Sequence, residues 1–357
     1  MESILLVRFS SLGDVILTTP LVRQLQLSYP DAAIDVAVAS RFAGVYEFNP
    51  RIRRVWAVDP SPTADNLEAD ATRLSMHESL PGRTYDLIVD AQNNLRSAAF
   101  VRGLGTTVRR APKYRLQKLA MVWMKQRPAV TTHVVERYRQ PLLDLPLVFD
   151  TDGLEVWTPT DRSSGVYLPP TRSMQTRSIT SLRGATIAVA PGAHHATKRW
   201  PADKFVAAIT ILQEQGADVV LLGSEFDRST CDAIAHRVIR PVHRADGAPS
   251  LQDTITALDA ADALLVNDSG VLHLGAARRI PTVAVFGSTV PELGFGPYGV
   301  PHRIVQQDVG CRPCSHIGRS RCPKGHFQCM EGIAPMAVVD ALEGLLQGDG
   351  SGTHFAS

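Results

Sequence analysis

Short apolar runs rich in β-branched residues alternate along this chain with segments of helical patterning, and that alternation restricts the possible folds more than any other feature. In the first half the runs are Ile4 to Phe9, Ile34 to Ala39, Val55 to Val58 and Leu87 to Asp90. This is the rhythm of parallel strands joined by crossover helices. It lapses through Thr160, Asp161, Arg162, Ser163, Ser164 and the pair Pro169, Pro170 into a polar stretch ending near Arg183, which reads as an interdomain linker. It restarts with Thr186 to Ala190, Asp218 to Leu222, Ala263 to Asn267 and Thr282 to Phe286, with helix-like segments near 202 to 215, 226 to 238 and 250 to 261. The expected organisation is therefore α/β, with one domain over 1–165, a linker over 166–183, a second domain over 184–348 and a flexible tail over 349–357. A chain of 357 residues accommodates two such domains.

Hydrophobic residues make up 44% of the chain and charged residues 20%, a globular composition. No apolar run approaches the roughly 18 to 20 residues of a membrane span, and the start, MESILLVRFSSLGD, lacks the features of a secretory signal. A cytoplasmic protein is expected. The formal charge of +2 conceals an asymmetry, because Arg96 to Arg139 holds eleven Lys and Arg residues against one acid, Glu136. A local anionic partner explains this better than general nucleic-acid binding.

In open α/β sheets ligands bind beyond the carboxyl ends of the strands. No GxGxxG follows the first strand, Gly192 to Lys198 lacks the second glycine of a P-loop, and neither GxSxG nor HExxH occurs. Dinucleotide, P-loop, serine hydrolase and zinc-protease chemistries are disfavoured in turn. The first strand-end loop, Ser10-Ser11-Leu12-Gly13-Asp14, has small residues that let backbone N–H groups approach an anion, and a carboxylate, Asp14, placed to act as a general base. A first-turn acid favoured by the helix dipole explains Asp14 equally well. Pro191 to Pro201 offers Lys198 to a pyrophosphate, or else a solvated loop cation. Glu225 follows another strand, where a carboxylate can hold ribose hydroxyls or merely fill a first helical turn. Asp268, Ser269 and Gly270 present a carboxylate, a hydroxyl and free N–H groups at a helix start, with His273 one turn on; simple capping beside a core histidine is the alternative.

Taken together these loops resemble glycosyltransferase family 9, the lipopolysaccharide heptosyltransferases. The resemblance rests on SSLGDVILTTP (Ser10 to Pro20), DAQNNLRSA (Asp90 to Ala98), PGAHHATKRWP (Pro191 to Pro201), NDSGVLHLGAA (Asn267 to Ala277) and PTVAVFGST (Pro281 to Thr289), and extends to the cysteine segment after Gly310. It implies a GT-B architecture of two Rossmann-like domains facing an interdomain cleft, and inverting transfer of heptose from ADP-heptose to the lipid-linked inner core of lipopolysaccharide, with no cofactor or catalytic metal. It further implies that Asp14 is the base, that Ser10, Ser11, Gly13, Lys198, Glu225, Asp268, Ser269, Gly270 and His273 bind the donor, and that Asp90, Gln92, Asn93 and Arg96 bind the acceptor. Ser269 stands where many relatives carry Thr, which keeps the hydroxyl.

Phosphates and acidic sugars of such an acceptor, at a membrane surface, would match the basic stretch. Within it Leu116, Leu119, Met121, Val122, Trp123 and Met124 form an apolar pattern flanked by Lys118, Lys125 and Arg127, suited either to peripheral contact with lipid at the inner face of the membrane or to packing in a core. Cys311, Cys314, Cys322 and Cys329, with His316 and His326 among them, could be free thiols, a structural metal site or disulfides; the later spacings are irregular for a zinc ribbon. Two readings compete with heptose transfer: the same fold and base with another nucleotide sugar, and a non-catalytic nucleotide-binding protein.

Overall fold

The computed structural model describes residues 1–58, 84–125, 132–167 and 181–348. The chain forms two compact units, Met1–Lys113 with Val134–Tyr167, and Tyr114–His133 with Leu168–Ser357.

The first unit is built on five parallel strands, β1 (Ser3–Val7), β2 (Ala33–Ala39), β3 (Ile52–Val58), β4 (Leu87–Asp90) and β5 (Val108–Arg110), in the order β3-β2-β1-β4-β5. Leu5, Val7, Phe9, Trp56, Ile88 and Phe100 meet in its core, each such side chain contributing about 1.5–3 kcal/mol on burial. Strand order reverses between β1 and β4, so the loops leaving these two strands open side by side. The returning chain is held by buried charge: Arg23 binds Asp150 at 2.5 Å and Glu155 at 3.1 Å, and Arg51 binds Glu155 at 2.8 Å. The lapse in strand rhythm that starts at Thr160 is ordered structure ahead of the linker expected over 166–183. Pro159–Ser164 is helical, because Thr158 caps the Asp161 N–H, Asp161 returns a bond to the Thr158 N–H, and Pro159 takes a first-turn position that needs no donor. Residues 168–180 of that linker and the tail 349–357 lie outside the described residues.

The second unit contains β6 (Thr186–Ala190), β7 (Asp218–Gly223), β8 (His243–Asp246), β9 (Ala263–Asn267), β10 (Thr282–Phe286) and β11 (His302–Gln306), again all parallel, in the order β11-β10-β9-β6-β7-β8. Its reversal falls between β6 and β9. Helices Ala202–Glu214 and Pro335–Leu346 cover the sheet, burying Phe205, Ile209, Leu212, Val338 and Leu342 with Ile187, Leu221 and Val285.

The boundary expected at 165 assigns everything before it to the first unit, but the helix Arg115–Met124 and His133 pack within the second. Met121, on the helix Arg115–Met124, joins Val290, Leu293 and Phe295 in a small apolar cluster. Lys125 Nζ donates to the Pro313 carbonyl at 2.8 Å. The His133 ring lies 4.7 Å from that of Tyr298, with Nε2 3.1 Å from the Gly296 carbonyl oxygen.

Candidate functional site

In the first unit the loop after β1 enters the short helix Leu12–Ile16 at Ser11, and Asp14 lies in that first turn. Its carboxylate is fully engaged. Oδ1 accepts from Arg8 Nη2 at 2.7 Å and from the Tyr138 hydroxyl at 3.0 Å. Oδ2 accepts from the Ser11 hydroxyl at 2.9 Å and the Ser11 N–H at 3.3 Å. Burial pushes the Asp14 carboxyl up, but the Arg8 charge and the hydrogen bonds from Ser11 and Tyr138 outweigh it and hold the group below the ordinary carboxylate range. Arg8 also donates to the Ala91 carbonyl at 2.7 Å, and its guanidinium lies 5.5 Å over the Tyr138 ring.

The loop after β4 supports this arrangement. Gln92 Oε1 accepts the Phe9 and Ser10 N–H groups at 3.2 and 3.3 Å, which fixes the backbone leading to Ser11 and the buried Gly13. Asp90 is fully buried and accepts from the Asn93 N–H at 2.6 Å and the Ser97 hydroxyl at 2.8 Å. Asn93 has φ 45° and donates to the Ala111 carbonyl at 2.8 Å. Of the four residues expected on the acceptor side, these three are occupied in shaping the loop. Arg96, half-buried in the helix Leu95–Phe100, makes no side-chain hydrogen bond or ion pair among the described residues.

In the second unit the loops after β6 and β9 are joined by Asn267, whose amide donates to the Pro191 carbonyl at 2.8 Å and accepts the Trp200 N–H at 3.0 Å. This brings together Lys198 and Asp268, with Nζ 2.8 Å from Oδ2. Thr289, in the loop after β10, donates its hydroxyl to the same Asp268 oxygen at 2.6 Å. Ser269 is the N-cap residue of the helix Gly270–Ala277, yet its hydroxyl makes no capping bond and is a buried oxygen without a partner among the described residues. A helix start with open N–H groups, an uncommitted hydroxyl and a lysine is an arrangement suited to phosphate oxygens. His273, one turn along, is buried with its ring 6.5 Å from that of Phe295.

Glu225 is not drawn into this group. The cap after β7 is made by Ser224 and Asp227, with the Ser224 hydroxyl 2.7 Å from Asp227 Oδ2, while Glu225 is exposed and makes no side-chain hydrogen bond among the described residues. A Cβ at Gly192 would run into the Asp227 carboxylate, so a larger residue would push that side chain off its bond to Ser224.

The cysteine segment forms a backing for the same loops. Arg312, 1% exposed, donates to the carbonyls of Gly287, Phe286 (3.3 Å), Thr289 (2.9 Å) and Gln307 (2.6 Å) and to Gln306 Oε1 (3.0 Å). Arg319 N–H donates to the Thr197 hydroxyl at 2.8 Å, next to Lys198. All five cysteines are unbridged, and burial pushes the Cys329 thiol up to about 11. Cys311 Sγ lies 3.8 Å from His326 Nε2, but among the described residues no three His, Cys, Asp or Glu side chains are grouped to hold a metal.

Sequence reasoning missed Arg8, Tyr138, Thr289 and Arg312. Arg8 follows directly on β1, the strand-end position where chemistry is sought, whereas Tyr138 is 124 residues from Asp14 and leaves no local signal. Arg312 lies inside the cysteine segment, where nothing in the local spacing marks a buried arginine.

The family model for glycosyltransferase family 9 (heptosyltransferase) matches residues 73–324. Lipopolysaccharide heptosyltransferase 1 of Pseudomonas aeruginosa is 30% identical over 335 residues, 87% of this chain and 85% of its own length. The fold is shared with a glycosyl transferase family 9 structure from Veillonella parvula (TM-score 0.74, 19% identity, 97% of each chain). It is also shared with the Escherichia coli ADP-heptose lipopolysaccharide heptosyltransferase II (TM-score 0.67, 22% identity, 98% of this chain and 99% of the other).

Proposed function

The chain belongs to glycosyltransferase family 9 and is a glycosyltransferase, and from that membership we propose that it moves heptose from ADP-heptose to the inner core of lipopolysaccharide with inversion at the anomeric carbon. An acceptor hydroxyl attacks that carbon as its proton passes to Asp14, the bond to the β-phosphate oxygen breaks, and ADP leaves with the electron pair. Lys198 and the N–H groups at Gly270 neutralise the charge developing on the leaving diphosphate, with Ser269 as a further donor. Asp268 acts mainly by holding Lys198. His273 lines the donor side, Ser10 and Ser11 bind the diphosphate with Gly13 shaping their turn, Glu225 is free to take the ribose hydroxyls, and Arg96 takes an acidic group of the acceptor, in the loop that Asp90, Gln92 and Asn93 hold.

The observation carrying this reading is the buried, partnerless Ser269 hydroxyl next in the chain to the Asp268–Lys198 pair. A buried hydroxyl left unpaired costs stability, which a phosphate oxygen would restore. The Escherichia coli structural relative is an ADP-heptose lipopolysaccharide heptosyltransferase, which supports the choice of ADP-heptose. Because the acceptor is lipid-linked, the enzyme works in peripheral contact with the cytoplasmic face of the inner membrane; no helix among the described residues is long and apolar enough to cross one.

The test is ADP release from ADP-heptose with and without deacylated inner-core acceptor. Acceptor-dependent release is expected. Turnover only with a hexose or N-acetylhexosamine nucleotide would replace the donor and keep the mechanism, and donor binding without turnover on any of them would overturn the enzyme reading.

A further inference from the structure

The helix Arg115–Met124 has two faces with different partners. Met121 and Lys125, four residues apart, share one face, and both are docked on the second unit, Met121 in the Val290, Leu293 and Phe295 cluster and Lys125 on the Pro313 carbonyl. Lys118 lies 5.8 Å over the Phe295 ring on the same side. Leu116, Leu119 and Trp123, at the i, i+3, i+7 spacing of a single stripe, point the other way and are 82%, 52% and 78% exposed. Met124 beside them is 58% exposed. Soluble proteins scatter large apolar side chains singly, and a contiguous stripe marks an interaction surface.

Charge identifies what covers it. From Lys113 to Lys125 the chain carries four cations, Lys113, Arg115, Lys118 and Lys125, and no acid; Lys118 and Lys125 are taken up on the docked face, while Arg115 is exposed one turn from Leu119. An apolar stripe on a cationic, acid-free helix too short to span a bilayer matches an in-plane seat on acidic lipid, with leucine and tryptophan among the acyl chains and Arg115 at the phosphates.

We propose that the Leu116, Leu119 and Trp123 face of this helix docks the protein on an anionic lipid bilayer. The proposal deepens the reading of a lipid-linked acceptor and rests on it, but its test is separable. Trp123 is the only exposed tryptophan of four, since Trp56, Trp157 and Trp200 are 7%, 2% and 2% exposed. Intrinsic fluorescence therefore reports on this helix. Adding vesicles of mixed phosphatidylcholine and phosphatidylglycerol, without acceptor, is expected to shift emission to the blue and to sediment the protein, while pure phosphatidylcholine does neither. Leu116→Ser with Trp123→Ser is expected to weaken vesicle binding at least tenfold, by roughly the apolar area removed, and to leave turnover of deacylated acceptor unchanged. Wild-type binding to mixed vesicles that persists in the double variant overturns the proposal. So does self-association that covers Trp123 without vesicles, which would assign the stripe to a second copy. Vesicle binding by a protein that turns over no nucleotide sugar would sink the transferase reading and leave the docking surface standing.

Discussion

The two strand-order reversals, β1 beside β4 in the first unit and β6 beside β9 in the second, are alike in topology and opposite in electrostatics. At the first, a carboxylate is enclosed by donors from its own unit: Arg8, Tyr138 and Ser11 saturate Asp14. At the second, a cation is held by a carboxylate and a donor is left over: Lys198 pairs with Asp268 while the Ser269 hydroxyl has no partner among the described residues. The two sites therefore differ in what a ligand would have to displace. A saturated carboxylate needs a neighbour to yield before it can take a proton, whereas an unpaired hydroxyl at a helix start is ready for an anion as it stands.

The largest effect that tests this contrast is at Asp14. Asp14→Asn keeps the side chain's shape but removes its basicity, and kcat for acceptor-dependent ADP release should fall by about 10²–10⁴-fold, with donor affinity measured by titration calorimetry little changed. A matching loss of donor affinity would mean that the first unit binds rather than abstracts. Lys198→Ala should cost about 10²–10³-fold in kcat/KM, and should also destabilise the fold modestly because Asp268 loses its counter-ion. If donor affinity survived intact, the assignment of the diphosphate to the second unit would fail.

Smaller still is Ser269→Ala. It should weaken donor binding about ten- to a hundredfold, the worth of one hydrogen bond to a charged group, without lowering the thermal midpoint of the free protein, since the hydroxyl has nothing to lose there. A clear fall in that midpoint would place the hydroxyl in the structure and not in the site. The smallest change is expected from Arg8→Gln, read as a pH profile. Arg8 holds the Asp14 carboxyl down, so its removal lets the carboxyl protonate at higher pH, and the acidic limb of kcat/KM moves up. The same sign governs stability: a depressed carboxyl stabilises the fold above the ordinary carboxylate range and loses that contribution as pH falls. An unmoved limb in Arg8→Gln would show that another group sets it.

Most of the scaffold was legible because buried parallel strands write their burial into composition. Leu87–Asp90, Thr186–Ala190, Ala263–Asn267 and Thr282–Phe286 lie where the apolar runs stop and start. Strands β5, β8 and β11 carry no such mark: each is at a sheet edge, and β8 reads His-Arg-Ala-Asp with its first two residues exposed. Lys198 and Asp268 were both recognised as strand-end residues. Their pairing, and the way Arg312 and Thr289 brace it, could not be read, since it depends on the reversal that brings the loops after β6 and β9 together. The acceptor-side group shows the converse limit: spacing drew Asp90, Gln92, Asn93 and Arg96 together as one set, and only the hydrogen bonds separate the three that build the loop from the arginine that is left.

That the helix Arg115–Met124 and His133 belong to the second unit matters to anyone who recombines such proteins. A chimera cut near residue 165 would carry one parent's helix onto the other parent's Val290, Leu293 and Phe295, and would seat one parent's His133 against a foreign Tyr298. The unit of exchange is thus discontinuous in sequence, and a graft of the second half succeeds only if this upstream insert travels with it. During synthesis the same insert emerges well before its binding surface exists, so the second unit is completed by a segment that must wait for the rest of the chain.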